Sequence, residues 1–315
     1  MKKKILILGS NGFIGQNIHK LFFNEKLLKK YSIFSTSRLE LDILQKEKLD
    51  SLFEKINPNI IINATGVVGS SVLNSKSNDY EIFTNNIIMQ TNILDCCKKF
   101  NVEKIIFFST YRIFGENIHE NYNESNIHTS YDIHNNSGYL LSKKILHSQL
   151  NLFQKQCPNT KYFCLILPNL YGKFDSFDEN GRIVPSLIKK IDLAKQNNTN
   201  LIIYSNSFNP VNLIYVEDIF LILEKCIQNE FICENIIIFN KKAIFTLEEL
   251  VQILKEEMGF EHKIIFTETK IINNNIMKPS LCKFDELFPD FTFSDPRSTL
   301  QETIKYYFKI KTGIS

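Results

Sequence analysis

Several things are missing from this chain, and each absence excludes a class. No apolar stretch approaches the roughly eighteen residues of a membrane-spanning helix, so no membrane association is expected. The lysines of Met1-Lys2-Lys3-Lys4 and the run Ile5 to Leu8 imitate the start of a signal peptide. Gly9, Ser10, Asn11 and Gly12 end that run too early for one. There is no dense basic stripe: 37 basic and 34 acidic side chains, net +3, are scattered along the sequence. The nearest approaches, Lys2 to Lys4 and Lys29-Lys30, read as solvated surface, and nucleic acid is not an expected partner. The seven cysteines (Cys96, Cys97, Cys157, Cys164, Cys226, Cys233, Cys282) show no metal-ligand spacing, so no metal site is expected. Their odd number, in a chain of 315 residues that needs no disulfides, fits reduced thiols in a cytoplasmic protein. Internal repeats and disordered linkers are absent too.

What is present alternates. Lys4 to Leu8 reads as a buried strand, Phe13 to Phe23 as a helix, Tyr31 to Thr36 as a second strand, and Leu49 to Lys55 as part of a helix. Ile60 to Ile62, Lys104 to Ser109 and Tyr162 to Leu167 read as further strands, separated by a helix around Asn86 to Phe100 and one carrying Tyr139 and Lys143. Such alternation predicts an α/β fold with a doubly wound parallel sheet of Rossmann type and ligands at the carboxyl ends of its strands. After Pro168 the pattern loosens: a polar loop over Leu170 to Gly181, helices near Val184 to Ala194 and Val216 to Gln228, a strand at Leu201 to Tyr204, and a last helix near Leu300 to Phe308. Thr246 with Glu249 three residues later marks the start of a helix running to Met258. The length favours two lobes with a cleft between them.

Three sets of residues carry chemistry. Gly9, Gly12 and Gly15, with Asn11, Phe13 and Ile14 between them, follow a strand and open a helix, where backbone amides can approach a pyrophosphate. The second strand ends Ser35-Thr36-Ser37-Arg38 with no acid at its tip, and hydroxyls beside an arginine suit the 2′-phosphate of NADP. Asp42 follows, near the expected adenine edge. Tyr139 and Lys143 stand four apart on one helix, about 5–6 Å apart at Cβ, where the ammonium can act on the phenol. With Thr110 at the end of the preceding strand, hydroxyl, phenol and ammonium can polarise a carbonyl and protonate its oxygen as hydride arrives at carbon.

Taken in order, the glycine turn, Asn63-Ala64, Ser109-Thr110 before Ile113-Phe114-Gly115, Tyr139/Lys143 and Pro168-Asn169-Leu170-Tyr171-Gly172 resemble the extended short-chain dehydrogenase/reductase family. The stretches Ile61 to Gly69, Asn86 to Asn92 and Ile183 to Ile188 are most similar to its GDP-fucose synthase branch. The resemblance implies an NADP-binding Rossmann domain over residues 1–168, to which a helix near 213–230 returns, and a mostly substrate-binding lobe over 169–315. It implies NADPH as cofactor, held by Gly9, Asn11, Gly12, Phe13, Ile14, Gly15, Ser37, Arg38, Asp42, Asn63, Ala64, Thr65, Lys143 and Pro168. It also implies Thr110, Tyr139 and Lys143 as the catalytic set, a nucleotide-sugar substrate, and a homodimer as the expected assembly. Substrate contacts are expected from Val68, Arg112, Asn169, Arg182, Ile183, Lys190, Tyr204 and Lys278.

Departures from that branch narrow the chemistry. The cysteine and histidine that move protons at C3 and C5 in fucose synthases fall on Arg112 and Arg182, and arginine stays protonated at any physiological pH. The expectation is therefore a C4 reductase of a nucleotide-linked 4-keto-6-deoxy hexose or heptose that does not epimerise, with a bifunctional epimerase/reductase as the alternative. Arg182 reads equally well as surface, and His128 and His134 are the remaining candidates for proton transfer. The branch's nucleotide-binding arginine is replaced by Val211, leaving CDP, dTDP and UDP open beside a favoured GDP. A 4,6-dehydratase would want Asp-Glu after Thr110, where Tyr111-Arg112 stand, and a non-catalytic cofactor sensor would not need both Tyr139 and Lys143.

Overall fold

The computed structural model describes residues 2–68, 78–115, 122–128, 137–179, 181–229, 233–267 and 278–313. In chain order the elements are β1 (Lys3–Leu8), α1 (Phe13–Phe22), α2 (Glu25–Lys30), β2 (Tyr31–Thr36), α3 (Lys46–Ile56), β3 (Ile60–Asn63), α4 (Asp79–Lys99), β4 (Lys104–Thr110), α5 (Gly138–Gln156), β5 (Lys161–Leu167) and β6 (Asn169–Tyr171). They continue with α6 (Ile183–Gln196), β7 (Leu201–Ile203), β8 (Pro210–Tyr215), α7 (Val216–Gln228), β9 (Glu234–Ile237), β10 (Ile244–Thr246), α8 (Leu247–Glu257), β11 (Ile264–Phe266), α9 (Cys282–Leu287) and α10 (Pro296–Thr312). Short 3-10 turns occupy Tyr111–Phe114 and Glu124–His128.

Six strands form the main sheet in the order β2-β1-β3-β4-β5-β9, every pair parallel. Because successive side chains of a strand point to opposite faces, one strand feeds two cores. Ile5 and Ile7 pack with α1 and α7, whereas Leu6 and Leu8 pack with α3, α4 and α5. All four are fully buried, as the unbroken apolar run of a strand covered on both faces requires. Each such side chain contributes about 1.5–3 kcal/mol relative to an exposed one. The sheet order reverses at β1, whose neighbours are β2 and β3, and this opens a crevice at the carboxyl ends of these three strands.

A separate core joins Tyr171, α6, β7, β8, α8 and α10 through residues such as Ile188, Leu213, Leu250 and Ile304. The chain passes between the two bodies more than once: α7 lies in the first core, and Glu234–Ile237, on the far side of residue 168, forms the sheet's edge strand. Two local expectations need correction. The loop expected from Leu170 begins as β6, paired with β8, and Val211, expected in a loop, is a buried residue of β8. Among the described residues no helix is long and apolar enough to cross a membrane.

Candidate active site

The glycine turn is built by close backbone approach. Gly9 has φ +84°, which an L side chain rarely adopts, and a Cβ there would sit 2.9 Å from the Thr65 side chain. At Gly15 a Cβ would lie 2.0 Å from the Gly9 carbonyl oxygen, so only glycine lets α1 start this close to β1. The amides of Gly9 and Ser10 donate to the Thr36 carbonyl at 2.9 and 3.0 Å, fastening the turn to the end of β2. Phe13 and Ile14 begin α1, whose first-turn amides have no acceptor within the helix and face an anion well.

A cavity of about 180 Å³ opens there, lined by Gly9, Asn11, Gly12, Ser37, Arg38, Asp42, Ala64 and Thr65, all expected from sequence. It is also lined by Thr36, Leu41, Ile43, Leu44, Gly66, Val67, Asn85 and Met89. The apolar wall of Leu41, Ile43 and Met89 was missed, because nothing in sequence distinguishes these from core residues until α4 lies beside the end of β2. Asn63 stands beneath this wall: its Oδ1 accepts from the Thr65 amide (3.0 Å) and hydroxyl (2.6 Å), bracing the loop from below. Pro168, Phe13, Ile14 and Gly15 are likewise outside the lining; Pro168 is buried where β5 passes into β6. The tip of β2 carries an acid after all. Glu40 folds back so that its Oε2 accepts from the Ser37 amide at 2.7 Å and hydroxyl at 3.0 Å, and these bonds hold its carboxyl below the usual range.

Tyr139 and Lys143 stand at the start of α5. Ser137 caps the helix, and Gly138 is demanded by contact, since a Cβ there would lie 1.9 Å from the Asp79 carbonyl oxygen. The Gly138 amide donates to Asp79 Oδ1 at 3.0 Å, so α5 is seated on the first turn of α4. Lys143 is buried and donates to the Phe108 carbonyl at 2.8 Å; burial brings its pKa down to about 8. Its ammonium lies 5.7 Å from the centre of the Tyr139 ring. Burial pushes the Tyr139 phenol up to about 12, and the cations that oppose this are Arg182 and Arg112 rather than Lys143. Lys143 thus stands over the phenol ring while its ammonium donates to the carbonyl of β4. Thr110 ends that strand, and its Oγ1 accepts from the Arg112 amide at 3.4 Å, leaving its own proton to give.

Arg112 and Arg182 are both exposed. Arg182 is the N-cap residue of α6, lies 4.5 Å above the Phe13 ring and ion-pairs with Asp175, whose side chain is completely buried. Burial raises the Asp175 pKa, and the guanidinium opposes it. Asn86, buried on α4, both donates to and accepts from Val67 and so fixes the loop beside Lys143; in sequence it is one polar residue among many on that helix. Val68 is exposed at the end of that loop, Asn169 donates to the Asn212 carbonyl at 3.2 Å, Ile183 opens α6, and Lys190 is half-buried on it. Tyr204 is 78% exposed, free to offer a ring face, and Lys278 is exposed. His128 is exposed at the end of its 3-10 turn, and His134 lies outside the described residues.

A crevice at the sheet reversal, a glycine turn opening a helix, and a Tyr-Lys pair beside them define a Rossmann-type α/β protein. The chain belongs to the NAD dependent epimerase/dehydratase family, whose model matches residues 5–236. It is 27% identical over 308 residues to a GDP-L-fucose synthase of Dictyostelium discoideum, covering 97% of this chain and 95% of that one. It is 26% identical over 315 residues to a GDP-L-colitose synthase of Yersinia pseudotuberculosis, covering 98% and 99%. Among solved structures, a GDP-L-fucose synthetase from Naegleria fowleri bound to NADP superposes with a TM-score of 0.86 at 21% identity, over 98% of this chain and 94% of that one.

Proposed function

We propose that this protein is an NADPH-dependent reductase acting at C4 of a nucleotide-linked 4-keto-6-deoxy sugar, with a GDP-linked hexose or heptose favoured, and that it does not epimerise C3 or C5. The observation that supports the reading is the Tyr139 and Lys143 pair on α5, the ammonium 5.7 Å from the phenol ring centre, with the fixed cations Arg112 and Arg182 opposing the rise of the phenol's pKa. The residues fit a dinucleotide: Gly12 is exposed on the cavity wall, Arg38 and Ser37 border it, and α1 starts directly after Gly12, its N-cap. The names of the curated relatives support the nucleotide-sugar part.

When bound, the nicotinamide supplies a hydride to the carbonyl carbon of the sugar. Tyr139, with its pKa near 12, is protonated at neutral pH and gives its proton to the carbonyl oxygen. Thr110 donates a hydrogen bond to the same oxygen, and Lys143 orients the ribose from beside Gly66. Arg112 and Arg182 bind hydroxyl or phosphate oxygens and stabilise negative charge on the phenol. They cannot alternate between acid and base as inversion at carbon requires.

A panel of nucleotide-linked 4-keto-6-deoxy sugars, followed by NADPH consumption and product NMR, tests the reading. At least one substrate should be reduced at C4 alone. Incubation in D₂O with oxidised cofactor should leave C3 and C5 free of deuterium beyond the enzyme-free rate. Enzyme-dependent deuterium uptake would show that the enzyme moves protons at those carbons and overturn that part, whereas no NADPH consumption across the panel would overturn the reductase.

A further inference from the structure

We propose that Asp175 is a positioning residue: it pins the Arg182 guanidinium over Phe13, so that a fixed cation from the second core meets the nicotinamide-side phosphate of the cofactor. The inference rests on the cofactor reading above. By sequence Arg182 belongs with the substrate contacts, whereas the fold lays its guanidinium 4.5 Å above the ring of the first residue of α1. Phe13 follows Gly12, which borders the nucleotide cavity, and a dinucleotide's diphosphate is received at such a helix start. Tyr139 does not border that cavity, so the nicotinamide half of a cofactor seated there has to pass the start of α1 to reach the phenol. Arg182 belongs to that passage: burial raises the Tyr139 pKa, and Arg182 opposes the rise more than any other cation.

Asp175 is not a residue that packing alone would choose. Its side chain is completely buried; Oδ1 accepts from Arg182 Nη1 and from the Ser176 amide (2.9 Å), and Oδ2 has no partner among the described residues. A carboxylate buried with one oxygen unsatisfied destabilises a fold relative to an apolar side chain of similar size. The residue before it, Phe174, has φ +62°, a left-handed backbone that an aromatic residue rarely adopts. Strain and a half-satisfied charge at adjacent residues point to a segment held for function. The segment is stiff. The amide of Asn17, buried on α1, donates to the Phe13 carbonyl at 2.9 Å and to the Lys173 carbonyl at 2.8 Å, which fastens the chain just before Asp175 to the first turn of α1. Arg182 then has one nitrogen on Asp175 and one face on Phe13, while its side chain stays exposed. A guanidinium is a planar fork of five N–H donors, so fixing one nitrogen and the plane aims the others.

Isothermal titration with NADP⁺ and with 2′,5′-ADP, which ends at the adenosine-side phosphate, reads the proposal without any sugar substrate. Arg182→Gln and Asp175→Asn should each weaken NADP⁺ by about tenfold, equivalent to about 1.4 kcal/mol, and leave 2′,5′-ADP within about twofold of wild type. The double variant should lose no more than either single one, because Asp175 acts only through Arg182. Arg182→Lys, which keeps the charge without the fork, should fall between Arg182→Gln and wild type. Should a single variant fail to fold, the double variant and Arg182→Lys, which leave no buried charge unpaired, carry the comparison of the two nucleotides. Wild-type affinity for NADP⁺ in Arg182→Gln or in the double variant, equal losses for the two nucleotides, or single losses that add would each overturn the proposal. Wild-type protein that binds neither nucleotide would refute the cofactor reading itself, and the proposal would fall with it before any variant is compared.

Discussion

In the proposed mechanism Tyr139 and Lys143 have separate roles, set by their surroundings. A phenol held near pKa 12 is an acid that keeps its proton until the substrate takes it, and a lysine brought to about 8 is still mostly charged at neutral pH. Replacing Tyr139 by Phe removes one oxygen and leaves the nucleotide cavity unlined by any change, since Tyr139 does not border it. Turnover should fall by about 10²–10⁴, the usual share of general acid catalysis, with the dissociation constant for NADPH held. Steady-state rates and nucleotide titration on the same preparation check both halves, and a variant as fast as wild type would take Tyr139 out of the chemistry. The wild-type rate should also decline as pH rises through about 8, where Lys143 loses its charge.

At the scale of elements, the site depends on how β4, α5 and β9 are tied. His147, one turn beyond Lys143 and fully buried, meets Asn235 Oδ1 of β9 at 2.7 Å and Ser109 Oγ of β4 at 2.9 Å. An amide oxygen only accepts, so Nδ1 carries the proton and Nε2 accepts from the serine hydroxyl. Burial lowers the His147 pKa to about 4, from 6.5. The unfolded chain then binds a proton that the folded one refuses between those values. Stability is therefore unpenalised above about 6.5 and falls as pH drops toward 4, by about 3 kcal/mol in all. Urea unfolding at several pH values, in wild type and His147→Gln, should show this loss in wild type and a shallower one in the variant. Equal slopes would place the acid sensitivity elsewhere. The same network explains what was illegible. β1, β3, β4 and β5 declare themselves by apolar runs, and the Thr246 cap by its partner Glu249, whose reciprocal bonds are both formed. Glu234–Ile237 runs on into Ile238 and Phe239 and carries a like apolar run, but nothing in the sequence shows that it returns to the edge of β5. Likewise α4 begins at Asp79, ahead of its apolar stretch, because its first turn is what Gly138 docks against.

Across the whole molecule, every residue bordering the nucleotide cavity comes from Gly9 to Met89, whereas α8 and α10 belong to the other core. The bodies meet along β6 and β8, whose Leu170 and Ile214 lie in the first core, and also at Arg182, which caps α6 and lies over Phe13 at the start of α1. Another is Asn17 of α1, whose amide donates to the Lys173 carbonyl at 2.8 Å. A ligand that binds only the folded cavity stabilises whatever must be intact to hold it, and nothing else. At about a hundred times its dissociation constant that amounts to about 2.7 kcal/mol, or about 100-fold slower exchange for amides whose opening breaks the site. Hydrogen exchange followed by mass spectrometry, with and without NADP⁺, should therefore slow the glycine turn, the tip of β2 and the loop after β3. The first turn of α6 should share in the effect through Arg182, and α8 and α10 should keep their local exchange rates. Uniform slowing of both cores would mean that they open as one unit, and Arg182→Ala would then leave the pattern unchanged. If the cores open separately, that variant should strip protection from α6 while the glycine turn keeps its own. Under that outcome, the guanidinium over Phe13 is the contact by which cofactor binding is felt in the second core.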